Sequence, residues 1–457
     1  MEVICKFAML FLAVVNLVRE FTSIDVSAVA GGAAAIVLLS GIFLMAKGFR
    51  KVTLVFLILS GAILVFFRQP LAAWVSGVNY LTNVISILVV MQLFSIPIEA
   101  GKYSEAARYW LSKSFRSESG LFLFATVTTH VFASFLLFGT IPVMVSLLGE
   151  TIKRSVSDYE RFMAAAIARG YALVVFWAPG AINLLLVVQA TGVSWPQLCI
   201  PGLVLSSIGI VTSWIMETRR VLSARPIPAG VCGAGIAENQ RTARNKVIHV
   251  VLVVLCLMGI TLLLDKLKIG GGTGRIMLAG ILVVAGWTAT YIRRPGIKPV
   301  ALNYWHSGLL KAGDLAPLFI SMGLLSTAIE RSGLLLFIQP ELQALANSLG
   351  VFSIVVLPLF MVGCAIVGIH PFISIVLCGH VLTQIHLSVS PVTLALCLGL
   401  GGSVSYMASP FAGIVLTLSK FINCRTVDIA LRWNLAYSLV LFTEGVVFAY
   451  VWGYFFG

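Results

Sequence analysis

The chain has 457 residues, of which 59% are hydrophobic and only 11% charged, and its formal net charge is +14. So apolar a composition excludes a water-soluble surface, and continuous rather than alternating apolar runs exclude a porin-like barrel. The positive excess reads as Lys- and Arg-rich cytoplasmic loops of a membrane protein, not as a nucleic-acid surface.

The first apolar span runs from about Val3 to Val18 and is followed by Arg19-Glu20 rather than by a small-residue cleavage site, so residues 1–25 read as an extra N-terminal helix. Further spans cover about Val26–Ala46, Val52–Phe67 and Leu71–Ile98. The stretch Glu99–Glu118 mixes Lys102, Glu105, Arg108, Lys113 and Arg116 with Tyr109 and Trp110, which suits a helix lying in the membrane interface. A hairpin over about 120–148 comes next. Then comes a helix over about 161–188 that breaks at Ala178-Pro179-Gly180, because proline removes a backbone donor and glycine permits unusual dihedrals. A closing span covers Gln197–Met216.

A polar linker occupies 217–246, and the same order then returns over 247–457. Spans are expected at Val247–Leu264, Ile276–Ile292 and Leu315–Ile329, with an interfacial helix at Leu334–Leu349. A hairpin follows at about 351–382, a broken helix at about 391–418 and a last span at Leu431–Tyr454. The eight cysteines are scattered, mostly in apolar runs and without C-x-x-C spacing, and read as packing residues.

Two sequence matches link the halves. The pattern H-x-F-x-S-x-x-L-x-G occurs at His130, Phe132, Ser134, Leu137 and Gly139, and again 240 positions on, at His370, Phe372, Ser374, Leu377 and Gly379. The breaks align through Pro179 and Pro410, 231 positions apart, which also pairs Ala181 with Ala412. Corresponding interrupted helices in two repeats point to a secondary transporter and to its binding site.

The positive-inside rule orients the chain. With the N-terminus in the cytoplasm and eleven spans, only Arg19, Arg68, Lys266, Lys268, Arg275 and Arg331 fall outside, and Arg169, Arg225, Arg293 and Arg294 count among the cytoplasmic cations. The C-terminus is then periplasmic, and five spans per half invert the two halves. The expected fold is an all-α polytopic membrane protein with about eleven transmembrane helices, two re-entrant hairpins and two inverted repeats, 26–216 and 247–457.

This arrangement resembles the ion transporter superfamily, which includes divalent-anion/sodium symporters and the large membrane subunit of tripartite carboxylate transporters. Ala178-Pro179-Gly180 and Ala408-Ser409-Pro410 match that family's broken helices. The tips, read as Thr128-Thr129-His130 and Gly368-Ile369-His370-Pro371, depart from its Ser-Asn-Thr motif. The resemblance implies a substrate and sodium site near the midplane, where tips and breaks meet, and a scaffold that forms a homodimer.

Half-helix N-termini suit an anion, whereas unwound carbonyls suit a cation. No Lys or Arg is expected beside a tip or a break, so an anionic substrate would be held by helix ends and hydroxyls. The expected substrate or ion ligands are Thr129, His130, Ser134, Pro179, Gly180, Asn183, His370, Ser374, Ser405, Ser409 and Pro410, with Ser403 nearby. Each of the two histidines has a bland reading, a satisfied structural residue, beside the proton-carrying one. Glu444 is the one carboxylate placed mid-span and the candidate for proton coupling; its bland reading is a protonated acid bonded to a neighbouring helix. Asp314 and Glu330 read as interfacial, His380 and His386 as structural or surface residues, and Trp195, Trp305, Trp433 and Trp452 as anchors at the membrane edges.

The expected function is secondary active movement of a small organic anion, carboxylate-like, across a bacterial inner membrane, coupled to sodium or protons. The partners are that solute and the bilayer, with no nucleic acid. No enzyme activity, catalytic residue, cofactor or metal centre is expected, apart from sodium as a coupling ion. The alternatives are a proton/cation antiporter using Glu444 and, behind it, a membrane-embedded lipid-processing enzyme. No G-x-x-x-x-G-K-[ST] motif offers a built-in ATPase.

Overall fold

The computed structural model describes residues 1–113, 117–136, 139–220, 239–291, 297–313, 315–385 and 387–456. Leu137, Arg116, Arg225, Arg293, Arg294, Asp314, His386 and the middle of the linker lie outside these residues, as does the side chain of His380. The protein is an all-α polytopic membrane protein. Nine helical stretches among the described residues are long and apolar enough to cross a bilayer.

The chain begins with α1 (Glu2–Phe21), α2 (Ser27–Gly41) and α3 (Lys47–Phe66). The fourth span read from the sequence is three helices, α4 (Leu71–Asn79), α5 (Thr82–Gln92) and α6 (Ser95–Ala100). Short polar side chains explain the interruption. Asn79 donates to the Ser27 carbonyl at 2.8 Å, and the Thr82 hydroxyl takes the Asn79 carbonyl at 2.8 Å. Next come α7 (Tyr103–Lys113), α8 (Glu118–Leu136) and α9 (Thr140–Ser155). The first broken helix consists of α10 (Tyr159–Ala172), a 3-10 turn at Leu173–Phe176 and α11 (Ile182–Thr191), and α12 (Trp195–Arg220) follows.

The second half holds α13 (Gln240–Lys266), α14 (Gly272–Ala289), α15 (Ile297–Asn303), α16 (Leu309–Gly313), α17 (Ala316–Arg331) and α18 (Leu334–Leu349). The second hairpin is α19 (Ser353–Ile366) and α20 (Pro371–Gln384), and the second broken helix is α21 (Pro391–Ala408) and α22 (Gly413–Ile422). A π turn at Asp428–Trp433 leads into α23 (Leu435–Phe456). The ends of the sequence's linker thus belong to α12 and α13.

The chain forms two compact units. The first comprises Met1–Gly101, Val253–Ser348 and Val376–His386. In it α1 packs on α2 and α5, and α17 packs on α3 and α4. Glycines set the α4–α17 approach: a Cβ on Gly77 would lie 2.8 Å from Leu324 Cδ1, and one on Gly323 would lie 2.8 Å from the Gly77 carbonyl. Two buried polar groups of this unit show how such atoms are paired. Asn16 donates to Ser86 at 2.8 Å, and Lys6, 1% exposed, pairs with Glu2 at 2.5 Å.

The second unit comprises Lys102–Leu252, Leu349–Ile375 and Leu387–Gly457. Both breaks and the tip of the second hairpin lie in it. Gly170 lets α10 press on α8, because a Cβ there would come within 2.5 Å of the Thr126 carbonyl. Helix α21, buried along almost its whole length, packs on α10, α11, α19 and α23.

The structure corrects the first tip. Helix α8 runs unbroken through Thr128-Thr129-His130. The Thr126 and Thr129 hydroxyls bond back to the carbonyls of Phe122 (2.9 Å) and Ala125 (2.7 Å), so the polar cluster sits on the helix without opening it. Helix α8 continues to Leu136, and α9 starts at Thr140. His370, by contrast, stands directly on the second turn, before α20 and after Gly368 with φ +95°. The two H-x-F-x-S copies are therefore not equivalent. Element boundaries follow the 231 spacing of the prolines: α9 and α20 start at Thr140 and Pro371, and α11 and α22 span 182–191 and 413–422. Each of the latter pair ends on a left-handed residue, Gly192 (φ 69°) or Asn423 (φ 53°).

Candidate functional site

Around the first break four backbone carbonyls are each met by a side chain from another helix. His130 on α8 bonds the Gly170 carbonyl at 3.0 Å, and Ser403 on α21 donates to the Ala172 carbonyl at 2.9 Å. On α12, Ser206 donates to the Leu173 carbonyl at 2.8 Å, and Trp195 donates to the Trp177 carbonyl at 2.7 Å. Such satisfaction is what lets a broken helix persist away from water. Pro179 and Gly180 are themselves buried and shape the break.

These contacts change the reading of three residues. The Trp177 indole donates to His130 Nε2 at 2.9 Å. An indole N–H can only donate, so Nε2 accepts and Nδ1 carries the hydrogen offered to Gly170. Both ring nitrogens are used, and His130 holds the break in place. Trp195, expected at a membrane edge, is 2% exposed and serves the break. Arg169, expected among cytoplasmic cations, is 1% exposed in the interior. It pairs with Glu217 at 2.7 Å and donates to Asn434 (2.9 Å), the Trp433 carbonyl (2.9 Å) and Ser213 (3.3 Å). Its guanidinium lies 4.7 Å from the Tyr437 ring centre. A single arginine inside an alanine-rich helix, Ala164 to Ala172, was the signal available in the sequence.

The second break and the second hairpin share a bond. The Ser409 hydroxyl donates to the Ala365 carbonyl at 2.6 Å and accepts from the Phe411 amide at 3.2 Å. Pro410 follows and blocks continuation of α21 into α22.

Tyr406 on α21 joins the parts. Its hydroxyl lies 3.5 Å from Asn183 Oδ1, on the first turn of α11. Its ring meets Tyr171 edge-on at 5.9 Å, and the rings of His370 and Phe372 at 6.4 Å each. The Phe372 amide donates to His370 Nδ1 at 3.3 Å, which closes the tip. Asn183, His370 and the second break are thus brought together around one tyrosine. His130, Thr129 and Ser134 stand on α8, with both hydroxyls bonded to their own helix, Ser134 to the Val131 carbonyl at 2.7 Å.

Beside Tyr406 is a cavity of about 10 Å³ lined by Ala133, Tyr171, Val174, Val175, Ala181, Ile182, Asn183 and Tyr406. It matches one water-sized particle. Gly402 makes room for the Asn183 side chain, since a Cβ there would sit 2.5 Å from Asn183 Nδ2. Among the described residues, buried Asn183 Nδ2, Ser405 Oγ and Ser374 Oγ have no hydrogen-bond partner. Polar atoms left unpaired in a closed interior are costly and mark a place for a ligand. Glu444 lies apart on α23: Thr212 donates to its Oε1 at 2.7 Å, and its Oε2 has no partner among the described residues.

No family model matches the chain. No curated protein sequence matches it. Similar solved structures include two transport proteins. The YdaH transporter of Alcanivorax borkumensis is 14% identical with a TM-score of 0.58, over 81% of this chain and 85% of that one. MtrF of Neisseria gonorrhoeae, presented as illuminating a class of antimetabolite efflux pumps, is 14% identical with a TM-score of 0.56, over 81% of each chain. At this identity the likeness establishes the fold, and that fold is one used by membrane transporters.

Proposed function

We propose that the chain is a secondary active transporter of a small organic anion, with its solute and ion site formed by the two helix breaks and the second hairpin tip. The observation that carries this reading is the convergence of Asn183 and His370 on Tyr406, with the buried Asn183 Nδ2 left without a hydrogen-bond partner among the described residues. The N-terminal ends of α11 and α22, both left open by the breaks, supply amides suited to an anion's charge. The cavity of about 10 Å³ suits an occluded state that must open to admit a carboxylate-sized solute. The 231-residue spacing supports two inverted repeats, the distribution of Lys and Arg supports eleven spans in an inner membrane with the N-terminus inside and the C-terminus outside, and a dimerising scaffold rests on the family resemblance alone.

A second reading, proton/cation antiport, is favoured by Glu444. It is a mid-helix carboxylate with one oxygen bonded to Thr212 and the other without a partner among the described residues. Intramembrane acids of this kind commonly serve coupling. The kinship in fold with MtrF makes export as natural a direction as uptake.

The test is flux in proteoliposomes. Labelled carboxylates and sulfonates are offered under separate sodium and proton gradients, with Asn183→Ala and Ser405→Ala alongside the wild type. Gradient-driven solute movement lost in both variants is the expected result. Movement that both variants retain would remove the site. Cation-driven proton movement without any solute would establish the Glu444 reading instead.

A further inference from the structure

Helix α23 carries one carboxylate, Glu444, near its middle. It is partly buried and faces α12, where its Oε1 accepts the Thr212 hydroxyl at 2.7 Å. Its Oε2 is buried and has no hydrogen-bond partner among the described residues. The other ionisable groups on the elements packed against α23 are occupied or turned elsewhere. Tyr437, earlier on α23, gives its hydroxyl to the Gly209 carbonyl at 2.9 Å. Beyond it, Arg169 is paired with Glu217, near the end of α12 where Arg219 and Arg220 also stand. On α21, Tyr406 turns to Asn183 and Cys397 packs with Ala449; α19 contributes only Cys364 and the start of α12 only Cys199. At the π turn before α23, Asp428 pairs with Arg425, and Arg432 completes the set.

The partner of Glu444 is chemically telling. Hydroxyls within apolar helices commonly bond back to the carbonyl four residues earlier. Ser207 and Thr443 do so, to the Leu203 and Leu439 carbonyls at 2.8 and 3.0 Å. Thr212 gives its one hydrogen to Glu444 instead. A hydroxyl has one hydrogen and two lone pairs, so it can serve both forms of an acid. To the carboxylate it donates. When one proton from the aqueous phase joins Oε1, the new O–H donates to the threonine oxygen, and the threonine hydrogen turns to the Ile208 carbonyl, four residues earlier on α12. One proton is bound and nothing else is exchanged. Lysine or arginine in this place could hold only the carboxylate, having no acceptor.

We infer, on the reading that Glu444 is the coupling acid, that Thr212 is its positioning residue and holds the carboxyl in one place through both halves of a protonation cycle. Oε1 stays on Thr212 in either form, and Oε2 keeps its freedom to meet water or a cation when the site opens. A hydrogen bond donated to a carboxylate is stronger than one to the neutral acid. The threonine therefore favours release of the proton, and an acid deprived of it keeps its proton to higher pH.

Infrared titration of the full-length protein in detergent tests this, with proton movement in proteoliposomes alongside. The carboxylic-acid band that Glu444→Gln removes belongs to Glu444. In Thr212→Val that band should move to higher frequency, as the acid loses its acceptor. Its titration midpoint should rise by about one pH unit, which is about 1.36 kcal/mol, because bonds to charged groups are roughly twice as strong as neutral ones. The pH midpoint of proton movement should rise with it. Thr212→Ser should restore both values, and Thr443→Val, which removes the neighbouring hydroxyl bonded to its own helix, should leave both at wild type. A Thr212→Val band with wild-type frequency and midpoint would overturn the role of Thr212, as would an equal shift in Thr443→Val. A Glu444→Gln variant that removes no band at any pH would show an acid that does not titrate, and would overturn it too. Proton movement that survives Glu444→Gln, with the band shifted as expected in Thr212→Val, would uphold the hold of Thr212 on the acid and remove only the coupling reading.

Discussion

Replacing Glu217 with glutamine probes the buried arginine most directly. Glu217 Oε1 stands 2.7 Å from Arg169, which is 1% exposed, and 3.4 Å from Arg161. In the variant Arg169 keeps Asn434, the Trp433 carbonyl, Ser213 and the Tyr437 ring but loses its carboxylate partner. Two charges about 4 Å apart attract by about 4 kcal/mol at an effective dielectric near 20, and removing one member of a buried pair typically costs about 3–5 kcal/mol. Glu217→Gln should therefore lower the melting temperature of the detergent-solubilised protein by several degrees, read by size exclusion after stepwise heating. Arg169→Met/Glu217→Leu, which removes both charges, should recover most of the loss. The reasoning fails if Glu217→Gln melts with the wild type, or if the double variant is less stable than the single one.

Four further substitutions follow from the breaks. Trp195→Phe leaves the buried Trp177 carbonyl without its donor and should cost about 1–3 kcal/mol, seen as a lower melting temperature. His130→Phe orphans both the Gly170 carbonyl and the Trp177 indole and should cost more than Trp195→Phe in the same assay. If His130 only holds the break, any His130→Asn protein that folds should retain the wild-type pH profile of flux; a shifted profile would return His130 to a proton-carrying role. Gly402→Ala should push Asn183 out of place and reduce flux by more than it lowers the melting temperature, with strain of about 1–3 kcal/mol.

The sequence announced the breaks because proline and glycine act locally. Pro179, Gly180 and Pro410 interrupt helices wherever they stand, and their 231 spacing carries the true register of the halves. The first tip was misread because a match of chemistry, His130 with His370, outweighed that spacing, although threonine and histidine do not by themselves open a helix. The roles of Arg169 and Trp195 were illegible for a different reason. Glu217 lies 48 residues beyond Arg169 and Asn434 265 beyond it, so the partners that make the charge tolerable appear only on folding. Tyr406 was missed likewise, since its importance lies in what surrounds it.

The bonds at the two breaks give them unequal mechanical freedom. The first break is fastened through Gly170, Ala172, Leu173 and Trp177 to side chains of α8, α21 and α12. Tilting it means either parting several buried bonds at once or carrying those three helices along as a block. The second break is fastened by Ser409 to Ala365, at the end of the first arm of the second hairpin. Hairpin and break are thus tied by this hydrogen bond in addition to the packing of α19 on α21. A displacement of the hairpin therefore reaches Asn183 through α21, by way of the Tyr406 hydroxyl and the close approach at Gly402.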